Sequence, residues 1–332
     1  MTESASKTPS AKSKSKRRAL LLALLLLVSL PVLLFGAIVG PGPSTEPRTV
    51  VIPHGASVHE IASLLKQNGV VTSRYLFRFA AKAFTYDVLQ AGEYQFTPRE
   101  SLSDIALQMH DGKSIVHMFT VTEGMTSAET FRLLKADAVL TGDLPAPPPE
   151  GSLLPETYRY SYGDSRAGMI ARMQKAMQET LNDLWAKRDM TVLLKSPEEA
   201  VTMASIVEKE TGKPAERARI AEVFYNRLRH NMRLQSDPTV IYAITRAKGM
   251  LDHDLDHDDL AFPSPFNTYA SDGLPPEPIC NPGRAALEAA LHPEANDYLY
   301  FVADGTGGHV FARDLNEHNQ NVTKWLKIKP KP

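Results

Sequence analysis

Residues 196–212 read Ser196-Pro197-Glu198-Glu199-Ala200-Val201-Thr202-Met203-Ala204-Ser205-Ile206-Val207-Glu208-Lys209-Glu210-Thr211-Gly212. Ser196 is placed to cap a helix, Pro197 takes the first helical position, Glu199 completes a capping box and Gly212 ends it. At about 100° per residue, Thr202, Ser205 and Lys209 share a narrow polar edge, while Ala200, Val201, Met203, Ala204, Ile206 and Val207 fill most of the remainder. Glu208 falls inside that apolar arc; Glu210 projects about 160° away, beside Met203 and Ile206. A carboxyl against apolar neighbours loses hydration in its charged form, so its pKa rises toward what a general acid at neutral pH needs. Glu208 is therefore the candidate catalytic acid. The alternative is a buried ion-pair partner for Arg217, Arg219 or Arg227 on the next helix.

Outward from this helix the chain stays helical. Arg166–Arg188 repeats apolar residues near every 3.6 positions, from Met169, Ile170 and Met173 to Leu184 and Trp185. Further helices are expected near Ala215–His230, Gly283–Leu291 and Asp314–Leu326. Tyr298–Val302 and His309–Ala312 flank Gly305-Thr306-Gly307-Gly308, a hairpin with a glycine-rich turn. Two loops, Leu234-Gln235-Ser236-Asp237-Pro238-Thr239 and Ser264-Pro265-Phe266-Asn267-Thr268-Tyr269, are dense in amides, hydroxyls and a Tyr ring that suit sugar hydroxyls and N-acetyl groups. Gln235, Ser236, Asp237, Asn267 and Tyr269 are accordingly candidate substrate contacts, although the same residue types also simply make turns.

The 332 residues are 43% hydrophobic and 23% charged, too apolar for a disordered chain and long enough for two compact units. A net charge of -1 argues against nucleic acid as the main ligand. The single cysteine, Cys280, excludes a disulfide framework and a zinc site built on several thiolates. No metal and no cofactor are expected: Asp252, His253, Asp254, Asp256, His257, Asp258 and Asp259 read as a solvated acidic loop, because a calcium loop would need Gly at His257 and Glu at Pro263.

The N-terminal residues carry six cations against Glu3, and Ala19–Gly40 holds no charge. As a helix these 22 residues would be about 33 Å long, enough for a hydrocarbon core, and the basic flank would place the N-terminus in the cytoplasm. The expected organisation is a basic tail (1–18), a transmembrane helix (19–40) and a tether (41–47), then a small module (48–115) and a larger domain (116–330). The part beyond residue 40 carries a net charge of -6.

A pattern of strand end, turn and capped helix recurs at Ile52–Ile61, Phe96–Ile105 and Val121–Thr130. With a second helix near Ser73–Phe84 and a strand near Ala91–Phe96, the first copy builds a strand-helix-helix-strand unit that resembles a LysM-like glycan-binding module. A proline run, Pro145 and Pro147 to Pro149, reads as a stiff connector.

Several segments together resemble the MltG-type (YceG-like) endolytic murein transglycosylases: Ala204–Thr211, Phe224–Leu228, Leu234–Val240, Asn267–Tyr269, Gly273–Pro276, Asn281–Gly283, Tyr298–Val302 and Gly307–His309. The resemblance implies an α+β chain: one membrane helix, a LysM-like βααβ module, and a mainly helical catalytic domain with a small sheet or hairpin. It implies cleavage of the β-1,4 bond between N-acetylmuramic acid and N-acetylglucosamine, with Glu208 protonating the leaving oxygen and then accepting the muramoyl 6-hydroxyl proton to leave a 1,6-anhydro end. Peptidoglycan strands, the cytoplasmic membrane and peptidoglycan synthases are the implied partners, and the inner membrane, with the catalytic domain outside, is the implied location. A lysozyme-like hydrolase using Asp237 as partner acid and a non-enzymatic glycan-binding scaffold are the competing readings.

Overall fold

The computed structural model describes residues 11–144, 146–246 and 251–328. In chain order the elements are α1 (Ala11–Val39), β1 (Arg48–Ile52), α2 (Val58–Gln67), α3 (Arg74–Thr85), β2 (Gly92–Phe96), α4 (Leu102–His110), β3 (Val116–Thr120), α5 (Ser127–Ala136) and β4 (Thr157–Ser161). They continue as α6 (Arg166–Ala186), α7 (Pro197–Glu210), α8 (Pro214–Arg229), α9 (Asp237–Thr245), α10 (His257–Leu260), α11 (Arg284–Leu291), β5 (Tyr300–Ala303), β6 (His309–Ala312) and α12 (Leu315–Ile328). The chain is mixed α and β, helical with small sheets, and divides into two compact units. The first runs to His117 and takes in residues 161–163; the second comprises Met118–Tyr160 and everything from Asp164.

In the first unit β1 and β2 pair antiparallel, with Val50 opposite Tyr94 and Ile52 opposite Gly92. The intervening helices α2 and α3 give the expected strand-helix-helix-strand order. Ser57 accepts from the Glu60 N–H while Glu60 reaches back to the Ser57 N–H, a complete capping box. Ile52, Ile61, Leu65, Phe77, Tyr94 and Ile105 are buried in the unit's core, and Ile38 at the end of α1 joins them.

α1 covers the uncharged run and leaves Leu20, Leu24, Leu27 and Phe35 largely exposed. Even so, among the described residues no helix is long and apolar enough to cross a membrane, so the expected transmembrane helix is not seen as one. The side chains of Ala19, Leu22, Ala23 and Leu26, which the 22-residue run counted, lie outside the described residues.

The second unit is built around α7, which packs on α11, α8, α6 and α9. Residues 200 to 207 are all buried, so the polar edge expected at Thr202 and Ser205 does not face water. Ser205 instead donates to the Thr202 carbonyl (2.7 Å) and accepts from the Ile279 N–H (3.0 Å). A buried hydroxyl satisfied twice costs little and pins the 279–280 segment to the helix. Cys280, also buried, donates weakly to the Ser205 carbonyl. The N-terminus differs slightly from expectation: Ser196 caps the Glu199 N–H, but the Glu199 carboxylate accepts from Lys195. β5 and β6 form the expected hairpin, with Asp304 accepting from Thr306 and Gly308 across the glycine turn. The proline connector reaches outside the described residues at Pro145.

Candidate active site

α7 ends on two glutamates that point to different places. Glu208 does not lie against bare apolar side chains as its position on the wheel suggested. Its Oε1 accepts from Arg217 Nη2 of α8 (3.0 Å), its Oε2 accepts from the Gly283 N–H at the start of α11 (2.8 Å), and its side chain is only 4% exposed. Arg217 also reaches Glu123 (3.3 Å). Burial raises the Glu208 pKa, opposed by the Gly283 N–H and by Arg217. Each oxygen thus holds one donor, including the pairing with Arg217 that the alternative reading named, and burial still leaves the carboxyl above its ordinary pKa, the direction its place on the helix predicts. Both donors are tertiary, because Arg217 comes from the next helix and Gly283 from 75 residues further on.

Glu210 stands differently. Its Oε1 accepts from the Ser236 hydroxyl at 2.5 Å. Burial pushes its pKa up to about 7; the Asp237 carboxylate adds to the rise, while the Ser236 bond and Arg227 oppose it. Both glutamates at the end of α7 therefore favour the protonated form more than a free carboxyl does, which is what general-acid chemistry needs.

Three of the five candidate substrate contacts converge here. Ser236 bonds Glu210, and Asp237, first residue of α9, accepts from the Tyr269 hydroxyl at 2.6 Å. Gln235 is exposed at the rim with φ +50°, a left-handed conformation that non-glycine residues adopt at a cost. Its N–H bonds the Thr268 carbonyl, and the Ser236 N–H bonds the Thr268 hydroxyl, so the 234–239 and 267–269 loops are zipped together. Asn267 departs from expectation. It is fully buried, its amide donating to Leu260 and Phe262 while its oxygen accepts from Tyr269, so every polar atom serves the loop itself.

Sequence reading missed Arg227 as an organiser. It is buried and donates to the Leu299 carbonyl (2.7 Å) and the Leu234 carbonyl (2.7 Å), tying the β5 entry to the Gln235 loop. Asn281 was likewise read only as part of a motif. It bonds Met125, Ser127 and Leu153 from both ends of its amide and holds the segment leading to Gly283. A groove of about 620 Å³ borders the cluster through Lys209, Asp237 and Tyr242, with His253 and Asp254 on its far side. That is ample for a sugar unit. The acidic tract folds as the short helix α10, capped by Asp256. His253, Asp256 and Asp259 place possible ligand atoms within 4.8 Å of one another, although the Asp256 and Asp259 carboxylates already bond His253 or the helix N–H groups.

The chain matches the YceG-like family over residues 50–324 and belongs to it. It is 35% identical over 309 residues to the endolytic murein transglycosylase of Bacillus subtilis (strain 168), an alignment covering 84% of each chain. With the endolytic murein transglycosylase of Streptococcus pneumoniae (serotype 2, strain D39) it shares 30% identity, covering 85% of this chain and 59% of that one. The crystal structure of a YceG-like protein from Listeria monocytogenes superposes with a TM-score of 0.51 at 35% identity, covering 83% of this chain and 99% of that chain.

Proposed function

We propose that this chain is a lytic transglycosylase that cleaves the N-acetylmuramoyl–N-acetylglucosamine β-1,4 bond inside nascent peptidoglycan strands. It leaves a 1,6-anhydro end and so terminates strand growth, with Glu208 as acid and then base. Kinship to endolytic murein transglycosylases supports the class. The observation that supports the residue assignment is the setting of Glu208: burial raises its pKa, and Arg217 and the Gly283 N–H fix the direction of its carboxyl.

The protonated carboxyl gives its proton to the leaving O4 as the muramoyl C1 gains oxocarbenium character. The resulting carboxylate then takes the proton of the muramoyl 6-hydroxyl, whose oxygen closes on C1. Atoms balance without water, so no second carboxylate is required to activate one. The test is mass spectrometry of products from uncrosslinked glycan strands treated with the full chain. Anhydro ends are expected, with Glu208→Gln folded but inactive and Glu210→Gln active; an active Glu208→Gln beside an inactive, folded Glu210→Gln would move the assignment to Glu210.

The proximity of Asp237 to Glu210 favours one alternative, a hydrolase in which Asp237 activates water. Reducing ends in the same assay would establish it, and strand binding without turnover would indicate a scaffold.

Residues 19–40 serve in this reading as a single-pass anchor in the inner membrane. The support is the uncharged run, its exposed leucines and the basic flank that keeps the N-terminus cytoplasmic. The catalytic unit then works outside, beside the synthases that extrude new strands. The LysM-like unit takes a glycan role, supported by a cavity of about 470 Å³ at the β1–α2 turn lined by His54, Glu60 and Ser63.

A further inference from the structure

α3 buries Phe77, Ala80, Ala81 and Thr85 and turns a different chemistry outward. At about 100° per residue, Tyr75, Arg78, Phe79 and Lys82 fall within one stripe about 100° wide, opposite the buried side. Tyr75 is 65% exposed, Phe79 59%, and Tyr86 at the C-cap 86%. The helix holds three cations, Arg74, Arg78 and Lys82, and no acid; Asp87 follows just beyond it. The Arg74 guanidinium lies 4.9 Å from the Tyr75 ring centre and donates to its hydroxyl, and the charges of Arg78 and Lys66 also act on that tyrosine.

A second observation concerns the neighbour. The end of α1 packs on α3 and α4, and Ile38 is buried in the same core, so the apolar run leaves from the unit that carries this stripe. Amphipathic rings flanked by Lys and Arg are the composition of the bilayer–water interface, and anionic headgroups attract such cations.

We propose that the outer face of α3 docks on an anionic lipid bilayer, with Tyr75, Phe79 and Tyr86 in the interfacial layer and Arg74, Arg78 and Lys82 against lipid phosphates. The proposal rests on the anchor reading of residues 19–40. It adds that the first unit is held against the membrane surface instead of hanging from its tether.

The test reconstitutes the full chain, as Tyr86→Cys carrying a fluorophore, into vesicles of equal parts phosphatidylglycerol and phosphatidylcholine. The buried Cys280 leaves position 86 as the reactive thiol. Brominated acyl chains are expected to quench the probe. Quenching should weaken in pure phosphatidylcholine and in Arg78→Glu/Lys82→Glu, each cation counting for about a five-fold change in the docked-to-free ratio. Protease protection of residues 19–40 is read on the same vesicles. Protection without quenching at 86 overturns the docking and leaves the anchor standing; quenching without protection leaves the docking and removes the anchor. Quenching that needs added glycan strands overturns the bilayer as the occupant.

Discussion

The Ser236 hydroxyl donates a 2.5 Å hydrogen bond to Glu210 Oε1, joining the end of α7 to the residue before α9. That bond engages one oxygen of the second glutamate at the helix end. It also opposes the rise in pKa that burial and Asp237 impose.

Two substitutions should therefore move the Glu210 titration in opposite directions. Ser236→Ala removes a bond that favours the ionised carboxyl, so the pKa rises. Asp237→Asn removes the like charge that favours the protonated form, so the pKa falls. Carboxyl titration followed by NMR reads both, and shifts of the same sign would refute these causes.

Stability should carry the same signature. Glu210 has a folded pKa of about 7 against an ordinary value of 4.5, so the folded state binds more protons between those limits. Stability then falls as pH rises from 4.5 to 7 and levels off above, with a total penalty of about 3 kcal/mol. Glu210→Gln should flatten that slope and melt higher than the parent at pH 8. Equal slopes in urea titrations of the two proteins at several pH values would count against a buried, protonated carboxyl.

Glu208 and Arg217 should be coupled in stability. Removing the guanidinium with Arg217→Met leaves a buried carboxylate with one donor, at a cost of about 3–5 kcal/mol. Glu208→Gln/Arg217→Met should recover part of the loss. Denaturant midpoints measure this, and turnover by the folded fraction of Glu208→Gln should be lost, which a purely structural role would not produce.

Asn267→Ala should act through the loop and not through sugar binding. It strands the Leu260 and Phe262 carbonyls and the Tyr269 N–H, losing about 1–3 kcal/mol by the usual cost of unmet buried groups. Tyr269 and Asp237 would then lose their alignment, so kcat should fall with KM little changed. A fall confined to KM would restore Asn267 as a substrate contact.

Arg227→Lys keeps the charge but lacks the fork that spans Leu299 and Leu234. It should loosen the Gln235 loop and lower kcat at least ten-fold, the factor that about 1.4 kcal/mol represents. Faster amide exchange at Gln235 and Ser236 provides the independent readout.

Much of this was legible locally. The cap at Ser57, the α6 methionine stripe, the βααβ order and the glycine hairpin depend on neighbours a few residues away, which a linear reading sees. The polar loops at 234–239 and 267–269 were recognised, and Ser236, Asp237 and Tyr269 do meet. Helix geometry by itself did not separate the partners of Glu208 from those of Glu210. Helical periodicity records only which way a side chain leaves its own helix, and both glutamates leave toward apolar surroundings.

Sequence alone determined the helix, its acidic end and the family to which the chain belongs, because propensity, capping and motif order are properties of short segments. What meets each glutamate was decided by tertiary structure. Arg217 and the Gly283 N–H arrive from other elements to close on Glu208, and Ser236 arrives to hold one side of Glu210. A carboxyl's hydration is set by what packs over it, and chain separation hides that until the fold has formed.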